Sequence, residues 1–209
     1  MMWLSLSIMA FLAAQEIPTF GTTVVSSFGF RGQIYHLKPE TEFLPNLEKL
    51  KPVGAIYATE LNVQPQTFQQ GFPGVTDRFE WFAILYAARI WIEHEGRYAF
   101  TLLSDDGAKL RVDRKLLIDN DGIHQPSKLE ASAVLTRGVH ELQISYFQGP
   151  RYYVALELGI VPPGQAWRVL RTNEFLVPEG VTDLKPGKIE KIKSAANLPE
   201  AGPPIRRFP

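Results

Sequence analysis

Two adjacent carboxylates are the residues best suited to bind an ion. Asp105 and Asp106 stand in a Ser-Asp-Asp-Gly run after an apolar segment, and an Asp-Asn-Asp-Gly run begins at Asp119. Hard cations such as Ca²⁺ take carboxylate and carbonyl oxygens as ligands. Consecutive side chains of an extended chain point to opposite faces, so two neighbouring aspartates reach one ion only where the backbone turns sharply. A polar β-turn is the alternative interpretation, because Asp, Ser and Gly are common turn residues.

The second run does not fit the calcium loop of an EF-hand. With Gly122 at the sixth position of such a loop, Leu117 would be the first ligand and Lys128 the twelfth. Neither side chain has an oxygen for calcium. We therefore interpret this run as a turn, or as a wall of the site formed by the first run.

Composition and motifs exclude several classes of function. The chain has 22 Lys and Arg against 22 Asp and Glu, so no net charge attracts nucleic acid or an anionic membrane. It has no cysteine, which excludes disulfides and thiol chemistry. It contains no Gly-x-Ser-x-Gly elbow, no His-Glu-x-x-His and no Gly-rich phosphate loop. A carboxylate pair could serve a glycosidase, but any acidic sequence offers such pairs. We expect a protein that is not an enzyme.

Short strands must position the two oxygen-rich runs. From Arg31 to Ile160 apolar residues recur at every second position, which is typical of half-buried strands. The strand before Asp105 and the strand from Ala108 to Val112 are examples, and Gly- and Asp-rich turns separate the segments. The pattern predicts an all-β fold, an antiparallel β-sandwich or barrel. Leu44–Leu50 is predicted to form a helical turn, and Gln64–Asp77 a loop.

The two ends of the chain differ from this central part. Residues 1–14 are apolar or Ser, too few to cross a membrane, and we interpret them as a signal peptide. A buried N-terminal strand or helix is the alternative. Residues 162–209 are predicted to be a C-terminal extension, with Ala166–Leu170 as one further edge segment and a Pro-, Gly- and Lys-rich extended tail beyond Pro178. We expect export across a bacterial-type membrane to the periplasm, the cell surface or the medium.

Three stretches of the sequence closely resemble the PA14 domain family. They are Gly96–Asp113, Lys115–His124 and Gly138–Phe147. The resemblance spans roughly residues 28–161 and implies a single β-sandwich domain. Arg114 departs from the pattern, because the family usually has Gly in this hairpin, where a primed turn needs positive φ. The sequence therefore predicts a different turn at this position.

The resemblance also implies a binding site. In lectin members of the family, paired aspartates joined by a cis peptide bind Ca²⁺, and the ion coordinates sugar hydroxyls. Asp105 and Asp106 match this pair, and Gln148 matches a side-chain amide that a second loop supplies. Backbone carbonyls two and four residues further on correspond to Pro150 and Tyr152. Together with Tyr152, Arg151 of the same loop is expected to contact the sugar.

The sequence therefore predicts a secreted, calcium-dependent, lectin-like module whose partners are cell-surface or extracellular glycans. We expect no nucleic-acid partner and no membrane span. The alternative is a structural or protein-interaction module of the cell envelope that binds no sugar. Such a module would bind an envelope protein through the C-terminal tail.

Overall fold

The computed structural model describes residues 29–68, 71–75, 78–150 and 152–191. Two antiparallel sheets carry most of these residues, with two 3₁₀ turns at Leu47–Lys49 and Thr172–Glu174. The strands are β1 (Phe30–His36), β2 (Gly54–Ala58), β3 (Asn62–Thr67), β4 (Phe82–Ile92), β5 (Gly96–Asp105), β6 (Ala108–Val112), β7 (Lys115–Asn120), β8 (Ser127–Leu135), β9 (Gly138–Gln148), β10 (Tyr153–Val161), β11 (Arg168–Val169) and β12 (Ile189–Lys191).

The two sheets pack face to face as a β-sandwich. The first sheet has the order β2-β1-β4-β9-β6-β7, and the second has the order β11-β10-β5-β8-β12, with β3 also paired to β10. β6 shows the alternation that predicted its strand. Ala108, Leu110 and Val112 are fully buried, while Lys109 and Arg111 face outward. The predicted all-β antiparallel sandwich is confirmed.

One segment predicted to be a loop begins as a strand. Residues 62–67 form β3 and pair with β10, so the prediction of a loop over Gln64–Asp77 is wrong at its start. Pro65 lies where the register of this ladder shifts. A proline at an irregular position removes no regular ladder hydrogen bond, which makes it compatible with a strand there. The pairing partner is far away in sequence, so the local pattern does not show it.

The β6–β7 hairpin has a primed turn, although the arginine at position 114 disfavours one. Asp113 and Arg114 have φ of 47° and 66°, both in the left-handed region. These values are typical of a primed two-residue turn. The prediction of a different turn at Arg114 is therefore wrong, because the twist of the two strands holds arginine in a conformation that glycine adopts more easily.

The chain beyond Val161 continues on the sandwich. The edge segment predicted at residues 166–170 includes β11, which pairs with β10, and β12 pairs with β8. Gly187 donates a backbone hydrogen bond to Val139 and lies against the ring of His140. His140 is fully buried, as expected for a core histidine. Residues 1–14, interpreted as a signal peptide, and the end of the tail from 192 lie outside the described residues.

Among the described residues, no helix has the length and apolar character needed to cross a membrane.

Candidate functional site

The paired aspartates and Gln148 meet at one end of the sandwich. β5 of the second sheet ends at Asp105, and β9 of the first sheet ends at Gln148, so the site joins the two sheets. The peptide between Asp105 and Asp106 is cis. This is the conformation that the resemblance implies. Tyr146, also on β9, directs its hydroxyl at the carbonyl of Asp105, at 2.8 Å, and at Oε1 of Gln148, at 2.6 Å.

Both carboxylates are withdrawn from solvent. Asp105 and Asp106 are each only 3% exposed, and Gln148 is fully buried. Burial, and secondly the neighbouring charge of Asp106, raises the pKa of Asp105 to about 7. Burial also raises the pKa of Asp106, although backbone donors partly oppose that shift. Two carboxylates in this setting share a strong preference for a proton or for another positive charge.

Backbone N–H groups hold the carboxylate of Asp106 in place. Oδ2 accepts a hydrogen bond from the N–H of Gly149 at 2.7 Å, and Oδ1 accepts one from the N–H of His124 at 3.2 Å. A Cβ at Gly149 would lie 3.1 Å from Oδ2 of Asp106 and 3.4 Å from the ring of Trp81. Glycine therefore lets the backbone approach the carboxylate closely.

The side-chain amide of Gln148 points its nitrogen at a set of oxygens. Nε2 lies 3.0 Å from the carbonyl of Tyr153, 3.3 Å from that of Pro150 and 3.4 Å from Oδ2 of Asp106. Oε1 is turned away and accepts from Tyr146. The acceptors around Nε2 are oxygens of the kind that calcium prefers.

The second oxygen-rich run supports the first. Asn120 donates from Nδ2 to Oγ of Ser104 at 2.9 Å and to the carbonyl of Ser127 at 3.0 Å. Asp121 pairs with Lys109 at 2.9 Å and accepts from the N–H of Leu44. The Asp121 carboxylate is thus bound to protein groups, in line with a wall of the site.

The close fit of the two runs depends on Gly107. A Cβ at this position would overlap the ring of Phe147 and would come within 2.8 Å of the backbone N of Gly122. The carbonyl of Gly107 also accepts a hydrogen bond from the N–H of Phe147 at 2.9 Å. The glycine therefore lets the Ser-Asp-Asp-Gly run pack directly on the second run and on β9.

The structure brings three of the predicted side chains together, those of Asp105, Asp106 and Gln148, and it arranges the predicted backbone groups differently. Pro150 lies beside Gln148 as expected, whereas the carbonyl of Tyr152 accepts from the N–H of Phe68 at 3.4 Å. The carbonyl of Tyr153 faces Gln148 instead. Arg151 lies outside the described residues.

The ring of Tyr152 is 76% exposed, so its side chain is open to a ligand. Tyr146 was overlooked, because its inward position on β9 suggested only a core residue. Among the described residues, no group of three or more His, Asp or Glu side chains is placed to hold a metal, so any ion here needs backbone and amide oxygens too.

Comparison with known proteins identifies the family. The model of the PA14 domain matches residues 70–169. These residues form a PA14 domain. The match includes both oxygen-rich runs and Gln148, and it covers the strands from β4 to β11, which belong to both sheets. Among curated protein sequences, none matches the chain significantly.

Several solved structures share the PA14 fold. The PA14 domain of the antifreeze protein MpAFP is 17% identical with a TM-score of 0.58, over 69% of this chain and 88% of that one. A PA14 sugar-binding domain from an RTX adhesin is 15% identical with a TM-score of 0.57, over 71% and 97%. The A domain of epithelial adhesin 9 from Candida glabrata, in complex with Galb1-3GlcNAc, is 11% identical with a TM-score of 0.50, over 71% and 88%. At these identities the likeness shows the fold.

Proposed function

We propose that the PA14 domain of this chain is a calcium-dependent carbohydrate-binding module with no catalytic activity. The observation that carries the proposal is the buried pair of Asp105 and Asp106. Among the described residues, neither carboxylate has a lysine, arginine or histidine nitrogen within ion-pair distance. Burying two like charges without a compensating cation is unfavourable, so the pair is suited to a bound Ca²⁺.

The donor set fits this ion. Calcium takes six to eight oxygens from carboxylates, amides and carbonyls. Asp105 and Asp106 supply carboxylates, and Pro150 supplies a carbonyl. The carbonyl of Tyr153, 3.0 Å from Nε2 of Gln148, is proposed as a further ligand in place of that of Tyr152. Bound calcium supplies open coordination positions for vicinal sugar hydroxyls.

Gln148 contributes an oxygen only with its amide turned over. In the structure its nitrogen faces the acceptors and its oxygen faces Tyr146. The Tyr146 hydroxyl can both donate and accept. In the orientation shown, its one proton is shared between Oε1 of Gln148 and the carbonyl of Asp105. With the amide turned over, Nε2 would donate to the hydroxyl oxygen, and the proton would be left for Asp105 alone. We infer that Gln148 keeps the oxygen cluster satisfied without an ion and presents Oε1 when an ion is bound.

The glycan is proposed to lie beside the same loop. The exposed ring of Tyr152 can cover the apolar face of a sugar, and Arg151 is proposed to donate to its hydroxyls. Two structures with this fold, the sugar-binding domain of the RTX adhesin and the adhesin in complex with Galb1-3GlcNAc, support a glycan as the ligand class. They also support action outside the cell, as a secreted or surface protein.

A calcium titration of chelator-treated protein tests the site. We expect one calcium per chain by calorimetry, lost in Asp106→Asn, which removes one charge with little change in shape. Asp119→Asn is the matched control, because this carboxylate contacts Lys109 at 3.4 Å and lies half-exposed. Normal calcium binding by Asp106→Asn, or none by the unmodified chain, would exclude the assignment.

A glycan array with and without calcium then tests the ligand. Calcium-dependent binding to sugars, lost in Asp106→Asn and retained in Asp119→Asn, is the expected result. Calcium binding without any glycan signal would indicate a structural ion and would favour the envelope-interaction alternative. Mass spectrometry of the exported protein would show whether residues 1–14 are removed.

A further inference from the structure

The outward face of the first sheet carries arginines with no partner. Arg31 on β1, Arg89 on β4 and Arg111 on β6 face outward, and Arg114 follows in the β6–β7 turn. Among the described residues, none of these four guanidinium groups makes a hydrogen bond or an ion pair. We call this surface the arginine face. A guanidinium group is planar, and its N–H donors can form two parallel hydrogen bonds to one oxyanion.

The other described arginines behave differently. Arg137, Arg168 and Arg171 each pair with a glutamate, at 3.2, 2.6 and 2.6 Å. Arg78 donates to two backbone carbonyls, and Arg97 donates to the hydroxyl of Ser132. Within the described part of the chain, unpartnered guanidinium groups are therefore confined to the outward face of the first sheet and its β6–β7 turn.

Strand register places two of these arginines in one row across the sheet, three strand spacings apart. Arg31 is opposite Ala87, Ala87 is opposite Gln143, and Gln143 is opposite Arg111. With neighbouring strands about 4.8 Å apart, the row spans about 14 Å. The small side chain of Ala87 leaves a shallow trough between the two charges. Separated charges across a polar trough suit an extended ligand that carries more than one anionic group.

A cavity of about 580 Å³ lies at one end of the arginine face. Residues 44–48 form one wall. The other is formed by outward side chains of β6 and β9, including Arg111, together with Arg114 of the β6–β7 turn. Gln143 and Ser145 also line it, and neither side chain makes a hydrogen bond to another described residue. The cavity therefore offers guanidinium, amide and hydroxyl groups together.

Two carboxylates line the same cavity. They belong to Glu48 and Glu141, and neither forms an ion pair with a described arginine. Lys109 is already neutralised by Asp119 and Asp121. The positive charge open to a ligand therefore comes from the arginines.

We propose that the arginine face binds an acidic oligosaccharide. Its carboxylate or sulfate groups contact the guanidinium groups, and its hydroxyls contact Gln143 and Ser145. The outward aromatic residues of β1 and β4, Tyr35 and Trp91, are at most 4% exposed, so they cannot stack on the bases of a nucleic acid. Tyr57 on β2, opposite Arg31, is 40% exposed, and an exposed ring beside a guanidinium group suits the apolar face of a charged sugar. A chain of anionic sugars would use both the guanidinium groups and the polar side chains of this face.

This surface is separate from the paired-aspartate site. Asp121 pairs with Lys109 at the edge of the arginine face, and His124 of the same loop donates to Asp106. The loop thus stands between the two surfaces. Binding to the arginine face should need no calcium, and the test can be made in chelator with the paired-aspartate site left without its ion.

Calorimetry in chelator with oligogalacturonate tests the proposal, and a heparin oligosaccharide distinguishes sulfate from carboxylate. Arg31→Gln/Arg111→Gln should weaken binding about tenfold, as expected for two exposed charge contacts. Arg97→Gln/Arg168→Gln removes the same charge from the second sheet and should bind normally. The methyl-esterified oligogalacturonate, which has the same backbone without the charge, should not bind the unmodified protein.

The opposite results would overturn the proposal. One such result is that both double variants bind the acidic ligand equally weakly. Another is that the esterified ligand binds as well as the free acid. The third is that neither acidic ligand binds. Tighter binding of a single-stranded oligonucleotide or of poly-glutamate would assign the face to another class of partner. Circular dichroism and thermal unfolding of each variant establish that any loss reflects the surface and not the fold.

Discussion

The hydroxyl of Tyr146 lies 2.6 Å from Oε1 of Gln148. The same hydroxyl lies 2.8 Å from the carbonyl of Asp105, so the two oxygens share its one proton. Burial raises the pKa of Tyr146 well above its usual value, so the hydroxyl stays a donor over the range in which the protein is studied. One tyrosine thus links the end of β5 to the end of β9.

Tyr146→Phe should destabilise the protein and weaken calcium binding. The change leaves the carbonyl of Asp105 and Oε1 of Gln148 without their donor, which costs about 1–3 kcal/mol in a buried setting. Urea unfolding with and without calcium measures both effects. Tyr86→Phe is the matched control, because the buried Tyr86 makes no side-chain hydrogen bond to another described residue. Equal losses in both variants would mean that the hydroxyl of Tyr146 has no special role.

Asp105 should make the calcium-free protein less stable as the pH rises. Its pKa is raised from 3.8 to about 7, chiefly by burial, so the folded state holds this proton more tightly than the unfolded chain. The resulting stabilisation is complete below pH 3.8 and is lost as the pH rises toward 7. Urea midpoints across this range should fall less steeply in Asp105→Asn than in the unmodified protein.

The half-exposed Asp119 provides the control for this pH dependence. Asp119→Asn should keep the pH profile of the unmodified chain. Added calcium should restore stability at pH 7, because the ion takes the place of the proton. Identical profiles for Asp105→Asn and the unmodified protein would contradict the assignment.

Arg114→Gly should stabilise the protein. Arg114 has φ of 66°, a conformation that costs about 1 kcal/mol more for arginine than for glycine. Thermal unfolding should therefore show a gain of about 1 kcal/mol. Arg111→Gly, three positions earlier within β6, should instead destabilise, because glycine weakens a regular strand. A loss of stability in both variants would mean that the Arg114 side chain contributes more than its backbone conformation costs.

Gly187→Ala should loosen the C-terminal segment from the sandwich. A Cβ at Gly187 would overlap the ring of His140, which is bonded to Asp113 at 2.7 Å and to the carbonyl of Thr136 at 2.8 Å. Overpacking of this kind costs about 1–3 kcal/mol, measurable by urea unfolding. Gly54→Ala is the control, since its Cβ would meet only Ile34, at an ordinary 3.6 Å. Equal stability of the two variants would show that the segment adjusts freely around His140.

The local pattern predicted most of the strands. Alternation over Ala108–Val112 fixed both the strand and its inward side, because a side-chain period of two depends only on neighbouring residues. The Ser-Asp-Asp-Gly run was likewise recognisable from residue types and spacing, whereas Gln148 was assigned only through the resemblance to the PA14 family. The same reasoning missed β3, since a polar strand with a proline is stabilised by pairing with β10, about 90 residues away.

The sequence by itself determined the fold class and located the paired carboxylates. Only the tertiary structure decided how the site is assembled. Tyr146 and Asp105 lie 41 residues apart and meet because β5 and β9 end on the same side of the sandwich. The arginine face depends on register across four strands, which sets side by side residues that are far apart in the chain. Hydrogen bonds and burial join residues that are distant in sequence, so the order of residues along the chain does not show them.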